Sequence, residues 1–156
     1  MKTETSVGYQ LDDIDKQIIH MLMDNAKTSL ALISKHVGIS TTAVHQRIKK
    51  LEQAEIIENS ISFLNPSKIG YKVVSYIGVF LDQPSHYSDA IAALNGINEV
   101  VEAHYTTGNY TIFLKVLCKD NDHLMDILNK LQTLKGVLRT ETFISLEQSI
   151  NRQLKV

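Results

Sequence analysis

Apolar residues near the start of the chain recur three or four positions apart. They are Leu11, Ile14, Ile18, Ile19, Leu22 and Met23. This spacing places them on one face of a helix. The polar residues 1–10 that precede them show no such period, so we expect a loosely held tail there. The pattern therefore predicts a first helix that begins near residue 11.

Two shorter apolar stripes follow, and a glycine separates them. The first runs from Leu30 to Val37 and stops at Gly38, which can adopt the left-handed conformation that ends a helix. Ser40 is the expected N-cap of the next helix, because its hydroxyl can accept a hydrogen bond from a free backbone amide. That helix is predicted over Ser40 to Glu52, with Val44, Ile48 and Leu51 on its buried side. Two helices joined by a tight glycine turn predict a helix-turn-helix.

Residues 56–64 alternate between apolar and polar side chains, which is typical of strands. Two short strands here would form a wing or a lid on the helices. Asn65, Pro66 and Gly70 then supply breaker residues, and they predict a linker over residues 65–72. We therefore expect a winged helix-turn-helix domain over residues 1–64 and a second domain over residues 73–156.

The second domain alternates between strand-like and helix-like periods. The predicted order is strand, helix, strand, strand, helix, strand, over residues 73–81, 87–94, 100–106, 110–118, 123–134 and 137–146. This order is typical of a ferredoxin-like sandwich, in which both helices cover one face of an antiparallel sheet. Apolar residues occur at both parities of residues 110–117, so that strand is expected to be buried on both faces. The predicted class is α+β, and a homodimer would cover the second sheet face.

Charge and composition limit what the chain can bind. Lys and Arg total 16 and Asp and Glu total 17, so there is no basic surplus for phosphate binding and any DNA contact depends on local placement. No signal peptide or apolar run of membrane-spanning length is visible, which predicts a cytoplasmic protein with no membrane partner. Cys118 is the only cysteine, and we expect a buried small side chain rather than a metal ligand. The sequence contains no recognisable nucleophile, phosphate-binding loop or metal-ligand spacing. We therefore predict neither catalysis nor a bound metal or cofactor.

The second helix of the helix-turn-helix carries the candidate DNA contacts. Thr42, Gln46 and Lys49 point away from its apolar stripe and have the side-chain types that read base edges. Other polar residues are expected to hold phosphates or flank the reading surface. The full predicted set is Lys35, Ser40, Thr41, Thr42, His45, Gln46, Arg47, Lys49 and Lys50. The alternative is a basic helix face that is merely solvated.

The whole pattern resembles the Lrp/AsnC family of transcription regulators. The resemblance is carried by residues 11–15, 37–40 and 47–52 in the first domain, and by residues 64–66, 69–71 and 105–110 further on. Within the family, residues 112–118, 130–133 and 140–142 are most similar to the asparagine-responsive, AsnC-like branch. The resemblance implies an amino-acid effector, most readily asparagine. It also implies dimers that assemble into octamers, and double-stranded DNA as the partner.

The effector site implied by the family falls on a turn between two strands. Its predicted residues are Tyr105, Thr107, Gly108, Asn109, Tyr110, Thr111 and, from a neighbouring subunit, Gln132. Many family members carry an acidic residue where this chain has Thr111. AsnC-like members share this departure. It therefore weakens the case for leucine as the effector more than the case for asparagine. The alternatives are an architectural DNA-binding protein without a ligand, or a response to leucine, glutamine or methionine.

Overall fold

A computed structural model describes residues 9–58, 60 and 62–156. The chain forms two compact units, and each is described by itself. The N-terminal unit contains the residues up to 62 together with residues 151–156, and the C-terminal unit contains residues 63–150. The division at residue 62 lies near the predicted linker, whereas residues 151–156 group with the N-terminal unit. The domain limits given above otherwise stay predictions.

Three helices make up the N-terminal unit, and each begins at a side-chain cap. They are α1 (Asp13–Asp24), α2 (Leu30–Val37) and α3 (Thr41–Gln53). Asp12, Ser29 and Ser40 cap them by accepting a hydrogen bond from the third amide of each helix, which satisfies a donor that would otherwise lack a partner. The predicted cap at Ser40 and the predicted helix order are confirmed.

The turn between α2 and α3 is built by Gly38 and closed by Ser34. Gly38 has a φ of 73°, which a residue with a side chain adopts only at a cost. The Ser34 hydroxyl donates to the carbonyl oxygen of Ile39 over 2.5 Å and fixes the turn. Three fully buried residues, Ile18, Ile33 and Val44, come from one helix each and hold the unit together.

The wing strands do not form in the part of this region that the structure describes. Residues 56–58, 60 and 62–64 have no strand hydrogen bonds, and Asn59 and Ile61 lie outside the described residues. Phe63 and Leu64 are 82% and 71% exposed, so they bury little of the apolar surface that stabilises a strand pair. A short 3-10 helix at Pro66–Ile69 follows and ends at Gly70.

The C-terminal unit has the predicted strand and helix order. Its elements are β1 (Val73–Leu81), α4 (Tyr87–Leu94), β2 (Val100–Tyr105), β3 (Ile112–Cys118), α5 (Asn121–Gln132) and β4 (Val137–Ser145). The sheet order is β2-β3-β1-β4, and all neighbours pair antiparallel. This arrangement confirms the α+β class and the ferredoxin-like topology. No helix in the described part of the chain is long and apolar enough to cross a membrane.

One face of the sheet packs against the helices and forms the core. Ile77 of β1 and Leu114 of β3 lie opposite each other and are fully buried against Ile127 and Leu131 of α5. Alternate residues of β1 and β3 face this core, which explains the strict alternation of buried and half-buried positions along β3. The helices therefore cover one face only.

The other face, called here the open face, carries a cluster of aromatic rings. Its rings are Tyr76, Phe80, Tyr110, Phe113 and Phe143, joined by stacked and edge contacts with centroids 5.1–6.4 Å apart. Half of the ten aromatic residues of the chain therefore lie on a sheet face that α4 and α5 do not cover. Phe143 is exposed, and the other four rings are half-buried.

Candidate DNA-binding and effector sites

Helix α3 keeps one side in the core and turns the other outward. Val44 and Leu51 are fully buried, and Ile48 is half-buried beside them. The opposite side is exposed and carries the residues predicted to read bases, with two basic or titratable neighbours. These residues are Thr42, Gln46, Lys49, His45 and Lys50. These side chains therefore lie together on the exposed side of α3.

The start of α3 offers further polar groups. The Ser40 side chain accepts a hydrogen bond from the amide of Ala43 over 3.1 Å, and its hydroxyl proton stays free for a phosphate. Thr41 is exposed in the first turn, and Lys35 is exposed in the last turn of α2. The N-terminus of a helix carries a partial positive charge, which favours a phosphate at this position.

Arg47 differs from the other predicted DNA contacts because it has partners inside the unit. Its Nη1 atom donates to Asp12 and to Asp15 of the α1 region over 2.7 Å in each case. Asp15 is only 2% exposed, and it also accepts a hydrogen bond from the hydroxyl of Tyr9. These carboxylates hold the pKa of the guanidinium above its ordinary value, Asp12 contributing most. Asp12 and Asp15 are not among the predicted site residues, because only the fold brings them to α3.

The predicted effector turn joins β2 to β3 and is closed at both ends. The amide of Thr106 donates to the carbonyl of Thr111 over 3.2 Å, and the hydroxyl of Thr106 donates to the carbonyl of Tyr110. Thr111 then ties the turn to β1, because its amide donates to Val79 over 2.9 Å and its hydroxyl accepts from the amide of Leu81. The turn is therefore fixed to the central strand of the sheet.

The tip of this turn leaves backbone donors free. Thr107, Gly108 and Asn109 are exposed, and the amides of residues 107–110 donate no hydrogen bond within the described structure. A Cβ at Gly108 would contact nothing within 4 Å, and the residue has no positive φ. Consecutive unpaired amides form an electropositive surface that suits a carboxylate.

Tyr110 belongs to the turn by its backbone and to the open face by its ring. The ring lies directly on Gly78 of β1, where a Cβ atom would overlap it. Its hydroxyl donates to Glu141 of β4 over 2.8 Å, and this bond raises the pKa of the phenol. Only the backbone of Tyr110 is therefore presented to a ligand at the turn. Neither Gly78 nor Glu141 carried a sequence signal for this role.

Two predicted effector residues stand apart from the turn tip. Tyr105, at the end of β2, is 63% exposed, and its ring contacts Tyr87 edge-on at 4.8 Å between centroids. Gln132 is the last residue of α5 and is exposed. Among the described residues, no hydrogen bond joins Gln132 to the turn.

Both parts of the chain match models of one protein family. Residues 11–52 match the AsnC-type helix-turn-helix domain, and residues 74–154 match the Lrp/AsnC ligand binding domain. The chain belongs to the Lrp/AsnC family. It is a DNA-binding transcriptional regulator.

Relatives from several organisms agree with this assignment to the Lrp/AsnC family. Regulatory protein AsnC of Escherichia coli is 40% identical over 149 residues, which cover 95% of this chain and 98% of that protein. AsnC of Haemophilus influenzae is 36% identical over 94% of this chain and 99% of its own length. These relatives are regulatory DNA-binding proteins.

Solved structures of the Lrp/AsnC family have the same fold. The structure of E. coli AsnC covers 95% of this chain and all of its own, with a TM-score of 0.91. The feast or famine regulatory protein of Mycobacterium tuberculosis, solved as a complex with L-methionine, is 27% identical. It covers 94% of this chain and all of its own, with a TM-score of 0.86. Amino-acid effectors therefore bind within this family.

Proposed function

We propose that this Lrp/AsnC regulator senses asparagine through the turn between β2 and β3. The observation that carries the proposal is the row of unpaired amides at residues 107–110, which suits the carboxylate of a free amino acid. Asparagine is favoured over other amino acids because the 40% identical relative is an AsnC protein. Tyr105 would wall the site, and Thr111 would hold the turn on β1.

Gln132 supplies the side-chain specificity in this proposal. Its amide can both donate to and accept from the side-chain amide of asparagine, which an apolar residue cannot do. In this proposal Gln132 reaches the ligand from a neighbouring subunit. The site would then be complete only in an assembly.

Calorimetry of the full chain with single amino acids tests the effector. Asparagine should release heat on binding, whereas leucine and methionine should not. Gln132→Leu should weaken asparagine binding about 3- to 10-fold, the effect of one lost neutral hydrogen bond. Gln148→Leu, which changes an exposed glutamine elsewhere in the C-terminal unit, is the matched control. Binding of leucine or methionine in place of asparagine would reject the proposed effector.

We infer that the open face is covered by a second copy of this chain. The aromatic cluster is a surface that a single copy leaves exposed, with Phe143 at 47% exposure. Lys115 and Glu102 at its rim form a 2.9 Å ion pair, so these two residues add no unpaired charge to a contact. A self-complementary sheet face favours a twofold dimer. Octamers would arise when such dimers assemble further, and sedimentation of the purified chain measures both states.

Base recognition is proposed for the exposed side of α3. Gln46 lies at its centre and can pair with adenine through two hydrogen bonds. Gln46→Ala should cost about 1–3 kcal/mol in binding to a selected operator and should relax the preference at one base pair. Gln17→Ala on the exposed surface of α1 is the control. An unchanged operator preference in Gln46→Ala would show that Gln46 does not contact a base.

A further inference from the structure

We propose that Arg47 is a positioning residue that clamps the DNA-reading helix α3 to α1, and that it does not hold a DNA phosphate. The proposal concerns how the established DNA binding is achieved, and it does not depend on the effector. It replaces the phosphate contact that the sequence pattern predicts for this residue.

The position of Arg47 on α3 supports this role. At 3.6 residues per turn, Arg47 lies about 60° from the buried Val44 and about 100° from the exposed Gln46. The side chain is 30% exposed and extends along the flank of the helix toward α1. Arg47 is therefore nearer to the packed side of α3 than to its reading side.

The carboxylates that receive Arg47 are themselves fixed. Asp12 caps α1 by accepting the amide of Asp15 over 2.8 Å, and Asp15 accepts the amide of Asp12 in return over 3.3 Å. Tyr9 adds a hydrogen bond to Asp15 over 3.1 Å. Each hydrogen bond leaves the carboxylates less free to move, so the arginine docks on a rigid acceptor pair rather than on mobile surface acids.

Burial makes this contact costly to abandon. Asp15 is 2% exposed, and a charged carboxylate at that depth needs a paired cation. If Arg47 turned outward to a phosphate, it would leave Asp15 without its ion-pair partner. The same two contacts cross from α3 to α1, so they also oppose rotation of α3 about its own axis. The direction of the reading side chains is set in this way.

The two roles of Arg47 predict opposite results for Asp15→Asn. If Arg47 held a phosphate, loss of a competing carboxylate would free it and DNA binding would strengthen. A positioning role predicts weaker binding, by roughly 3- to 30-fold, which lies within the range of couplings between contacting residues. Asp13→Asn is the matched control, because Asp13 is exposed in the same turn and makes no described side-chain hydrogen bond. It should leave binding unchanged or slightly stronger.

Salt dependence provides a second measurement on the full-length protein. A lost phosphate contact lowers the slope of log affinity against log salt by about one. We expect Lys50→Gln to lower the slope and Arg47→Gln to weaken binding without lowering it. Arg47→Lys should recover part of the affinity, because lysine can pair with one of the two carboxylates. Arg47→Gln combined with Asp15→Asn should lose less than the sum of the two single effects.

Asp12→Asn keeps the test decisive if Asp15→Asn does not fold. Asparagine still caps α1 but loses the charge that Arg47 contacts, so binding should weaken in the same direction. Tighter binding by Asp12→Asn or Asp15→Asn, or a slope lowered by about one in Arg47→Gln, would overturn the proposal. Either result would assign Arg47 to the DNA backbone.

Discussion

Burial determines the chemistry of Cys118, the single thiol of the chain. Cys118 ends β3 and is fully buried against the helices. Its pKa is raised to about 11, mainly because burial disfavours the thiolate, with Glu99 and Asp120 adding to the effect. A thiol of this kind is almost entirely protonated near neutral pH and is a poor nucleophile.

We therefore predict that Cys118 resists thiol reagents in the native protein. At pH 8, Ellman's reagent should react no faster than the protein unfolds, and it should react with one thiol per chain in denaturant. Cys118→Ala should give no signal in either condition. Rapid reaction of the native protein would show that the end of β3 opens to solvent.

Asp12 connects the acid stability of the N-terminal unit to the Arg47 contact. Its pKa is lowered first by the hydrogen bond from the amide of Asp15 and then by Arg47. A lowered pKa in the folded state means that this contribution is present at neutral pH and is lost as pH falls below about 4. Urea unfolding should show Asp12→Asn less stable than the parent at pH 7, with the gap in stability narrowing as pH falls below about 4. A gap that widens in acid would contradict the assignment.

At the scale of elements, the central strand β1 connects the predicted effector turn to the open face. Thr111 hydrogen-bonds to β1 at Val79, and the ring of Tyr110 covers Gly78 one residue earlier. A side chain at Gly78 would occupy the space of that ring. Glycine is required here by close approach and not by backbone conformation, since no positive φ occurs at this position.

Two glycine substitutions in the same unit should therefore have different effects. Gly78→Ala should destabilise the protein by about 1–3 kcal/mol, because the added methyl displaces the Tyr110 ring. Gly108→Ala meets no atom within 4 Å and should change stability by no more than about 0.5 kcal/mol. Denaturant unfolding followed by circular dichroism measures both. Equal effects would mean that the turn and strand pack differently from the structure.

At the scale of the whole molecule, charge and assembly act together. The chain has a formal net charge of −1, so a single helix-turn-helix has little general attraction for DNA. Joining two copies raises the effective concentration of the second DNA-binding unit once the first is bound. The proposed dimer through the open face would therefore contribute directly to DNA affinity.

Phe143→Ser tests this connection. Sedimentation should show more monomer, and affinity for a two-site operator should fall roughly 10- to 100-fold as the avidity is lost. Met125→Ser is the control, because Met125 is 61% exposed on α5, which packs against the opposite face of the sheet. A dimer that survives Phe143→Ser would place the interface elsewhere.

Local rules in the sequence determined most of the fold. The spacing of apolar residues, the N-cap residues and the glycine positions predicted the helices of the N-terminal unit. These signals act over a few residues, as at Ser40 and Gly38. The strand order of the C-terminal unit followed from alternation for the same reason. The prediction of a wing over residues 56–64 was wrong for the described residues. A strand forms only when it pairs with another strand, and a local pattern does not show whether such a partner is present. Residue types also indicated a DNA-reading helix.

Only the tertiary structure decided which polar groups have partners. Arg47 and Lys50 look alike in sequence, yet Arg47 contacts a buried carboxylate 32 positions away in the chain. The ring of Tyr110 likewise lies on Gly78, which is 32 positions earlier in the chain. Ion pairs and ring contacts of this kind depend on distances between segments far apart in sequence. The spacing of residues along the chain does not predict those distances, because they are set only when the chain folds.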